Sequence, residues 1–242
     1  MYGYGGSDTL EGGLGYDHLI GGAGADTLNG GASIDAAEYS GSKAGVSVNL
    51  TTGAASGGDA QGDTLIGIES LWGSDFADTL AGDANSNFIV CDNGGDVANG
   101  GAGQDVLYGD GGKDMLIGGG GMDQIVGGQG IDKLYGSGDR DQFVFYTGDS
   151  LAATPDQIMD FVHLVDWIDV NGMDAKSATA ADDAFTFIGT SAFTPGVQGQ
   201  LRYEQVGANT LVYGDTNGDA VADFAIQLTN YSGLLTAADF IL

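Results

Sequence analysis

The sequence predicts an all-β protein: a parallel β-roll with eighteen residues per coil, capped by a C-terminal antiparallel β-sandwich-like domain. Three observations lead there. Between Gly100 and Val144 the chain reads in nines as GGAGQDVLY, GDGGKDMLI, GGGGMDQIV, GGQGIDKLY and GSGDRDQFV, with Asp always sixth and an apolar residue always eighth. Forty-six glycines against two prolines point to a chain built of turns, not to a collagen or a Pro-rich linker. After Phe145 glycine thins out, both prolines appear, and aromatic and β-branched residues alternate, which marks a change of architecture.

The nine-residue unit has a simple physical reading. Glycines in its first six residues reach positive φ at little steric cost, so six residues make a tight turn. The next three, such as residues 106–108, form a very short strand whose middle side chain points to one face. Two units make one coil, and stacked coils pair their strands at about 4.8 Å, burying the Leu and Ile row between two thin sheets. The turns stack too, so Asp105 is expected near Asp123, Asp114 near Asp132, and Asp123 near Asp141. Carboxylates about 5 Å apart repel by roughly 1 kcal/mol even in water. A hard divalent cation between the turns reverses that sign, and calcium takes six to eight oxygens from carboxylates and backbone carbonyls. The expected ligands are Asp8, Asp17, Asp26, Asp35, Asp78, Asp96, Asp105, Asp114, Asp123, Asp132 and Asp141, with Gly100, Gly109, Gly111, Gly118, Gly120 and Gly127 in the turns. The nonapeptide resembles the calcium-binding repeat of the RTX proteins, and pairs eighteen residues apart suggest roughly four to eight Ca2+ ions.

Thirty-four acidic against six basic residues leave a net charge of −28. Such a chain resists compaction at low ionic strength and is not expected to bind nucleic acid or an anionic membrane directly. Cys91 is the only cysteine, so no internal disulfide forms, and it reads as a small packed side chain. The N-terminus has no basic segment followed by an apolar one, so no Sec-type signal peptide is expected. No apolar run approaches eighteen residues, so neither a transmembrane helix nor membrane insertion is expected. A monomer is expected.

In order, residues 1–38 form the first repeat block, with Asp8, Asp17, Asp26 and Asp35 sixth and Leu10, Leu19, Leu28 and Ala37 eighth. The chain begins inside a repeat, and solenoids need caps. Met1 is therefore expected to be an artificial boundary or the start of an incomplete gene product. Residues 39–72 break the nonamer. Val46, Val48 and Leu50 alternate as in a longer strand, and the segment is expected to continue the stack with longer coils. Asp59, Asp63 and Glu69 read as surface turn acids. Residues 73–145 form the second block, with Asp78, Asn87 and Asp96 ahead of the five strong units. The units at 82–90 and 91–99 are degenerate, because Asn85 and Asn87 replace Gly and Asp and Cys91 replaces the leading Gly, so weak or absent sites are expected there.

Residues 146–242 contain strand candidates at 185–188, 200–204, 210–213 and 224–228. Here PDQIMDFVHLVDWIDV, DDAFTFIG, GQLRYE, TLVYGDTNGDAVADFAIQL and LTAADFIL resemble the C-terminal domain of the serralysin-family secreted metalloproteases, over about 95 residues. The resemblance implies a β-sandwich fused to a calcium β-roll, from a secreted extracellular protein of a Gram-negative bacterium. It also implies that the last residues act as an uncleaved signal read by a type I exporter, an ABC transporter complex. That signal is an acidic residue followed by three apolar ones, which Asp239, Phe240, Ile241 and Leu242 match; a terminal strand ending in apolar residues reads the same way. The zinc motif H-E-x-x-H of such proteases is absent, since His18 and His163 are the only histidines and neither is followed by Glu. No G-x-S-x-G elbow occurs. Resemblance therefore brings fold, calcium and export, but not proteolysis.

His163, between Asp160 and Asp166, reads as a structural histidine, and Trp72 and Trp167 read as core or cap residues. Asp215, Asn217, Asp219 and Asp223 fall at positions 1, 3, 5 and 9 of an EF-hand-like loop. The Gly stands fourth and Ile226 twelfth, so an acidic hairpin turn fits as well as an ion site. The leading functional reading is a non-enzymatic module that folds on calcium outside the cell and directs type I secretion. The alternative is a stand-alone secreted calcium-binding protein with a structural or adhesive role. A polysaccharide-acting enzyme is the remaining reading, disfavoured because the acids are committed to turns.

Overall fold

The computed structural model describes residues 1–177 and 183–242; Asp182, which opens the DDAFTFIG motif, lies outside them. The described residues contain no α-helix, only two 3-10 turns at Gly58–Ala60 and Ala237–Asp239. Two sheets face each other along the molecule, one of fourteen strands and one of nine. Most strands are short, two to six residues, and pair in parallel with a strand one coil away, as Val97–Ala102 does with Met115–Gly120 and Val106–Tyr108 with Gln124–Val126. The eighteen-residue register of the repeats follows directly: Leu107 stands opposite Ile125, and Leu116 opposite Leu134.

That register carries the core. In the nine-stranded sheet Leu19, Ala37, Leu71, Ile89, Leu107, Ile125, Phe143 and Ile168 follow one another across neighbouring strands, each 0 % exposed. Leu80, Ala98, Leu116, Leu134, Ile158 and Leu228, each at most 1 % exposed, follow one another likewise in the fourteen-stranded sheet. Each large side chain removed from water contributes about 1.5–3 kcal/mol, which strands of three residues need because they make few hydrogen bonds of their own. Some turns pair as well: Asn93–Gly94, Gly111–Gly112 and Gln129–Gly130 stack as a small third sheet.

The break at 39–72 is absorbed without ending the roll. A short antiparallel hairpin, Ser47–Asn49 with Ala54–Ser56, is inserted between Thr64–Ile66 and Thr79–Ala81 in the larger sheet. The expected long strand is only three residues. Val46 and Val48 are buried, but the chain turns at Leu50, where Gly53 donates its N–H to the Asn49 carbonyl. Thr64–Ile66 then returns to the coil, with Leu65 opposite Leu28.

The C-terminal antiparallel strands close the roll by extending its own sheets. Asp156–Ile158 pairs with Lys133–Gly138, Phe224–Leu228 adds to it in parallel, and Asn209–Asp215 and Gln200–Val206 follow in antiparallel. On the other sheet Trp167–Asp169 pairs with Gln142–Val144, and Phe240–Ile241 pairs with Trp167–Asp169. The tryptophans differ from expectation. Both lie on the outer face of the nine-stranded sheet, half-buried, because they flank the inward position of their strands. Trp72 packs between His18 and Phe88, and the Arg140 guanidinium lies 4.6 Å from the centre of the Trp167 ring. Cys91 is fully buried.

Candidate metal centres

The sixth-position acids form two rows, one along each edge of the roll. Each carboxylate faces the turn of the coil before it and accepts that turn's backbone N–H through Oδ1. In one row Asp8 donates to Asp26 at 2.7 Å, Asp78 to Asp96 at 2.7 Å, Asp96 to Asp114 at 2.8 Å and Asp114 to Asp132 at 2.8 Å. In the other Asp17 donates to Asp35 at 2.8 Å, Asp105 to Asp123 at 2.9 Å and Asp123 to Asp141 at 3.0 Å. All three Asp pairs expected to be neighbours are brought together in this way.

The second oxygen distinguishes one turn from another. Oδ2 is buried without a hydrogen-bond partner at Asp8, Asp17, Asp26, Asp35, Asp96, Asp105, Asp114, Asp123, Asp132 and Asp156. A buried orphaned carboxylate oxygen is costly, so a chain that keeps a series of them fits a cation. Burial and the neighbouring carboxylates push Asp105 and Asp114 up to about 6, Asp96, Asp132 and Asp141 to about 7, and Asp156 to about 8, despite the backbone amide that donates to each. Among the described residues no three acidic, His or Cys side chains converge on one point. Two carboxylates per turn pair therefore leave most of a calcium ion's six to eight ligands to backbone carbonyls. The leading glycines make room for this. A Cβ on Gly109 would lie 2.7 Å from Asp114 Oδ2, and one on Gly127 2.8 Å from Asp132 Oδ2; Gly100 and Gly118 stand in the same relation to Asp105 and Asp123. Of the other glycines, Gly111 pairs with Gln129 in the third sheet, and the Gly120 carbonyl accepts the Gly103 N–H.

In the insert and the first units of the second block the polar side chains already have protein partners. The Tyr39 hydroxyl donates to Asp63 Oδ2 at 3.1 Å, with both groups buried. Ser74 donates its N–H to Asp78 Oδ2 and its hydroxyl to Asp78 Oδ1. Asn87 turns its amide N toward the Glu69 carbonyl at 3.2 Å and accepts the Asp83 N–H on its oxygen. The degenerate unit 91–99 behaves otherwise, because Asp96 keeps a buried, partnerless oxygen although Cys91 replaces glycine.

Four members of the rows escaped the nonapeptide count. Asp63 and Glu69, read as surface acids, accept the N–H of Asp26 and Asp35; Asp63 is 3 % exposed. Asp156 and Asp166 extend the rows past the last repeat by accepting the N–H of Asp132 and Asp141. The signal was present: all four stand two residues before an inward apolar side chain, Leu65, Leu71, Ile158 and Ile168. The repeat glycines are thinned to Gly58 before Asp63 and Gly67 before Glu69, and none stands at the repeat offsets before Asp156 or Asp166.

The acidic hairpin at 215–223 closes on itself. Asp215 is 0 % exposed and accepts the N–H of Gly218 and Ala220, and Asp223 accepts Thr216 and the Asn217 side chain. Asn217 and Asp219 accept the N–H of Asp219 and Val221. At the other candidate, Asp239 is fully buried, Phe240 nearly so, and Ile241 and Leu242 partly exposed.

A two-sheet parallel roll with glycine turns and stacked, half-satisfied carboxylates defines an RTX-type calcium-binding repeat module. The model of the RTX calcium-binding nonapeptide repeat (4 copies) matches residues 2–36 and 63–90, and that of the peptidase M10 serralysin C terminal matches residues 96–242. The chain belongs to the serralysin C-terminal family, and it is a calcium-binding module of the type that secreted proteins carry. Both matching models are of non-catalytic regions. Among solved structures, the AlgE6R3 subunit of the Azotobacter vinelandii mannuronan C5-epimerase is 23% identical, with 69% of this chain and 78% of that chain covered at a TM-score of 0.35. The AlgE6R2 subunit of that epimerase is 24% identical, with 70% and 90% covered at a TM-score of 0.29. No curated relative matches the chain.

Proposed function

We propose that this chain is a non-catalytic module that folds when calcium reaches it outside the cell and that directs its protein through a type I exporter. The observation that carries the calcium half is the series of buried carboxylate oxygens without a partner. Six turn pairs have such an oxygen on both members: Asp8 with Asp26, Asp17 with Asp35, Asp96 with Asp114, Asp105 with Asp123, Asp114 with Asp132, and Asp132 with Asp156. These are the proposed ion sites, and they fall within the expected range of about four to eight. Bound calcium would supply the positive charge that the stacked carboxylates lack. Without it, the rows repel and the chain, with 34 acids, stays extended. Extracellular modules of this kind bind at about 10⁻⁴–10⁻³ M, which separates an open intracellular chain from a folded extracellular one. The export half rests on the terminal Asp239-Phe240-Ile241-Leu242 pattern and the family match.

A calcium titration followed by far-UV circular dichroism and Trp72/Trp167 fluorescence, with magnesium as control, tests the first half. The expected result is a cooperative gain of β signal with calcium alone, reversed by chelator. A full β spectrum that ignores chelator would sink it. Export from cells carrying a type I exporter, with and without residues 239–242, tests the second.

A further inference from the structure

The segment from Asp160 to Asp166 is held at both ends by the last nonapeptide turn and grips the C-terminal segment with its middle. At one end, the Asp160 carboxylate accepts the N–H of Gly136 at 3.0 Å and of Ser137 at 2.9 Å. At the other, Asp166 accepts the N–H of Asp141 at 3.2 Å through Oδ1 and closes its own loop by accepting the Val162 N–H at 2.7 Å through Oδ2. Gly136 to Asp141 is the last nonapeptide turn in the carboxylate row of Asp105 and Asp123, which Asp166 continues. In the middle of the loop, His163 Nδ1 lies 2.7 Å from Asp239 Oδ1, and the Leu164 N–H donates to the same oxygen at 2.9 Å. Leu164 has φ 60, a left-handed conformation uncommon for a leucine, which turns that N–H toward Asp239.

Asp239 spends its other oxygen on Thr236, accepting the backbone N–H at 2.6 Å and the hydroxyl at 3.1 Å, so it builds the final 3-10 turn. It is 0 % exposed. The residues after it lie on the strand that leaves the same loop: Phe240–Ile241 pairs with Trp167–Asp169, and Val170 donates to the Ile241 carbonyl at 3.0 Å.

We propose that the loop 160–166 is a latch that couples order in the last nonapeptide turn, which stacks on the Asp105/Asp123 pair, to burial of residues 239–242. With that turn formed, Asp160 and Asp166 have their backbone donors and His163 and Leu164 present theirs to Asp239. With it open, both anchors lose the donors that the turn supplies and the grip on Asp239 loosens. Coupling is reciprocal, so the seated C-terminal segment also favours the formed turn. The biological meaning rests on the export reading above: the acidic residue of the terminal pattern is hidden once the roll has folded, so only the unfolded chain would present it.

Hydrogen exchange of the full chain across a calcium series tests this. Peptides covering 133–144 and 236–242 are expected to gain protection at one shared calcium midpoint. Early protection of 236–242, while 133–144 still exchanges freely, would overturn the latch. In His163→Ala the protection of 236–242 is expected to fall about tenfold, with the midpoint of 133–144 moving to higher calcium. His163→Asn, whose side-chain amide can donate from near the Nδ1 position, should restore most of both. Loss at 236–242 with 133–144 unmoved would mean a local contact only. The wild-type series stands even if the Ala variant does not fold. If exchange behaves as expected but deletion of 239–242 leaves export intact, the export reading falls and the latch remains.

Discussion

Tyr39 and Asp63 show how one side chain can take over the work of an ion. Asp63 sits in the same row as Asp26, and burial pushes its carboxyl up to about 6, yet the Tyr39 hydroxyl satisfies the oxygen that stays orphaned in Asp26. Tyr39→Phe removes that donor and nothing else of size. At calcium just sufficient to fold the chain it is expected to cost about 1–3 kcal/mol in urea unfolding, the penalty for a buried oxygen left unpaired. With saturating calcium the loss should shrink, because Asp26 and Asp63 then face each other with two free oxygens. Equal loss in both conditions would show that the pair cannot accept an ion. None of this was legible along the chain. Tyr39 and Asp63 are 24 residues apart, and only the folded insert brings the ring beneath the turn. Asp105 and Asp123, by contrast, were legible because glycine, Asp and Leu recur at fixed offsets around them.

At the level of the strand, a three-residue element has almost no stability of its own, so each coil depends on its inward side chain. Leu116 is 0 % exposed and stands between Ala98 and Leu134 in the larger sheet. Leu116→Ala would place two alanines side by side in the core. It is expected to cost about 2–5 kcal/mol in the calcium-bound protein by chemical unfolding. Ile66, on the outer face and 50 % exposed, is the control, and Ile66→Ala should stay within about 0.5 kcal/mol. A comparable loss at both positions would contradict the assignment of faces. Position eight of the nonamer identified the inward side chain wherever the repeat is intact. It failed at Val46, Val48 and Leu50, where alternation suggested a strand longer than the three residues found. Alternation reports which face a side chain takes, while the length of a strand depends on where its neighbours stop pairing.

Across the whole molecule the acids set the dependence on pH. The row carboxyls are raised from an ordinary 3.8 to about 6 for Asp105 and Asp114, about 7 for Asp96 and Asp132, and about 8 for Asp156, mainly by burial. The metal-free fold therefore holds protons more tightly than the unfolded chain does. The stability this contributes is fully present below about pH 4 and is lost as pH rises through 6 to 8. Thermal unfolding in chelator should accordingly give a transition at pH 4.5 whose midpoint falls, and which disappears, as pH approaches 8, with calcium restoring it at pH 8 and doing little at pH 4.5. A midpoint in chelator that rises over that interval would contradict the burial of the rows. The sequence by itself determined the coil, its register, the two rows of acids and the apolar row between them, because all of these are local periodicities of one nine-residue unit. Tertiary structure decided which carboxylates keep a free oxygen, that Asp156 and Asp166 extend the rows, and that Asp239 is locked beneath His163. Those outcomes depend on donors brought in from 23 to 76 residues away, across turns whose length no repeat dictates.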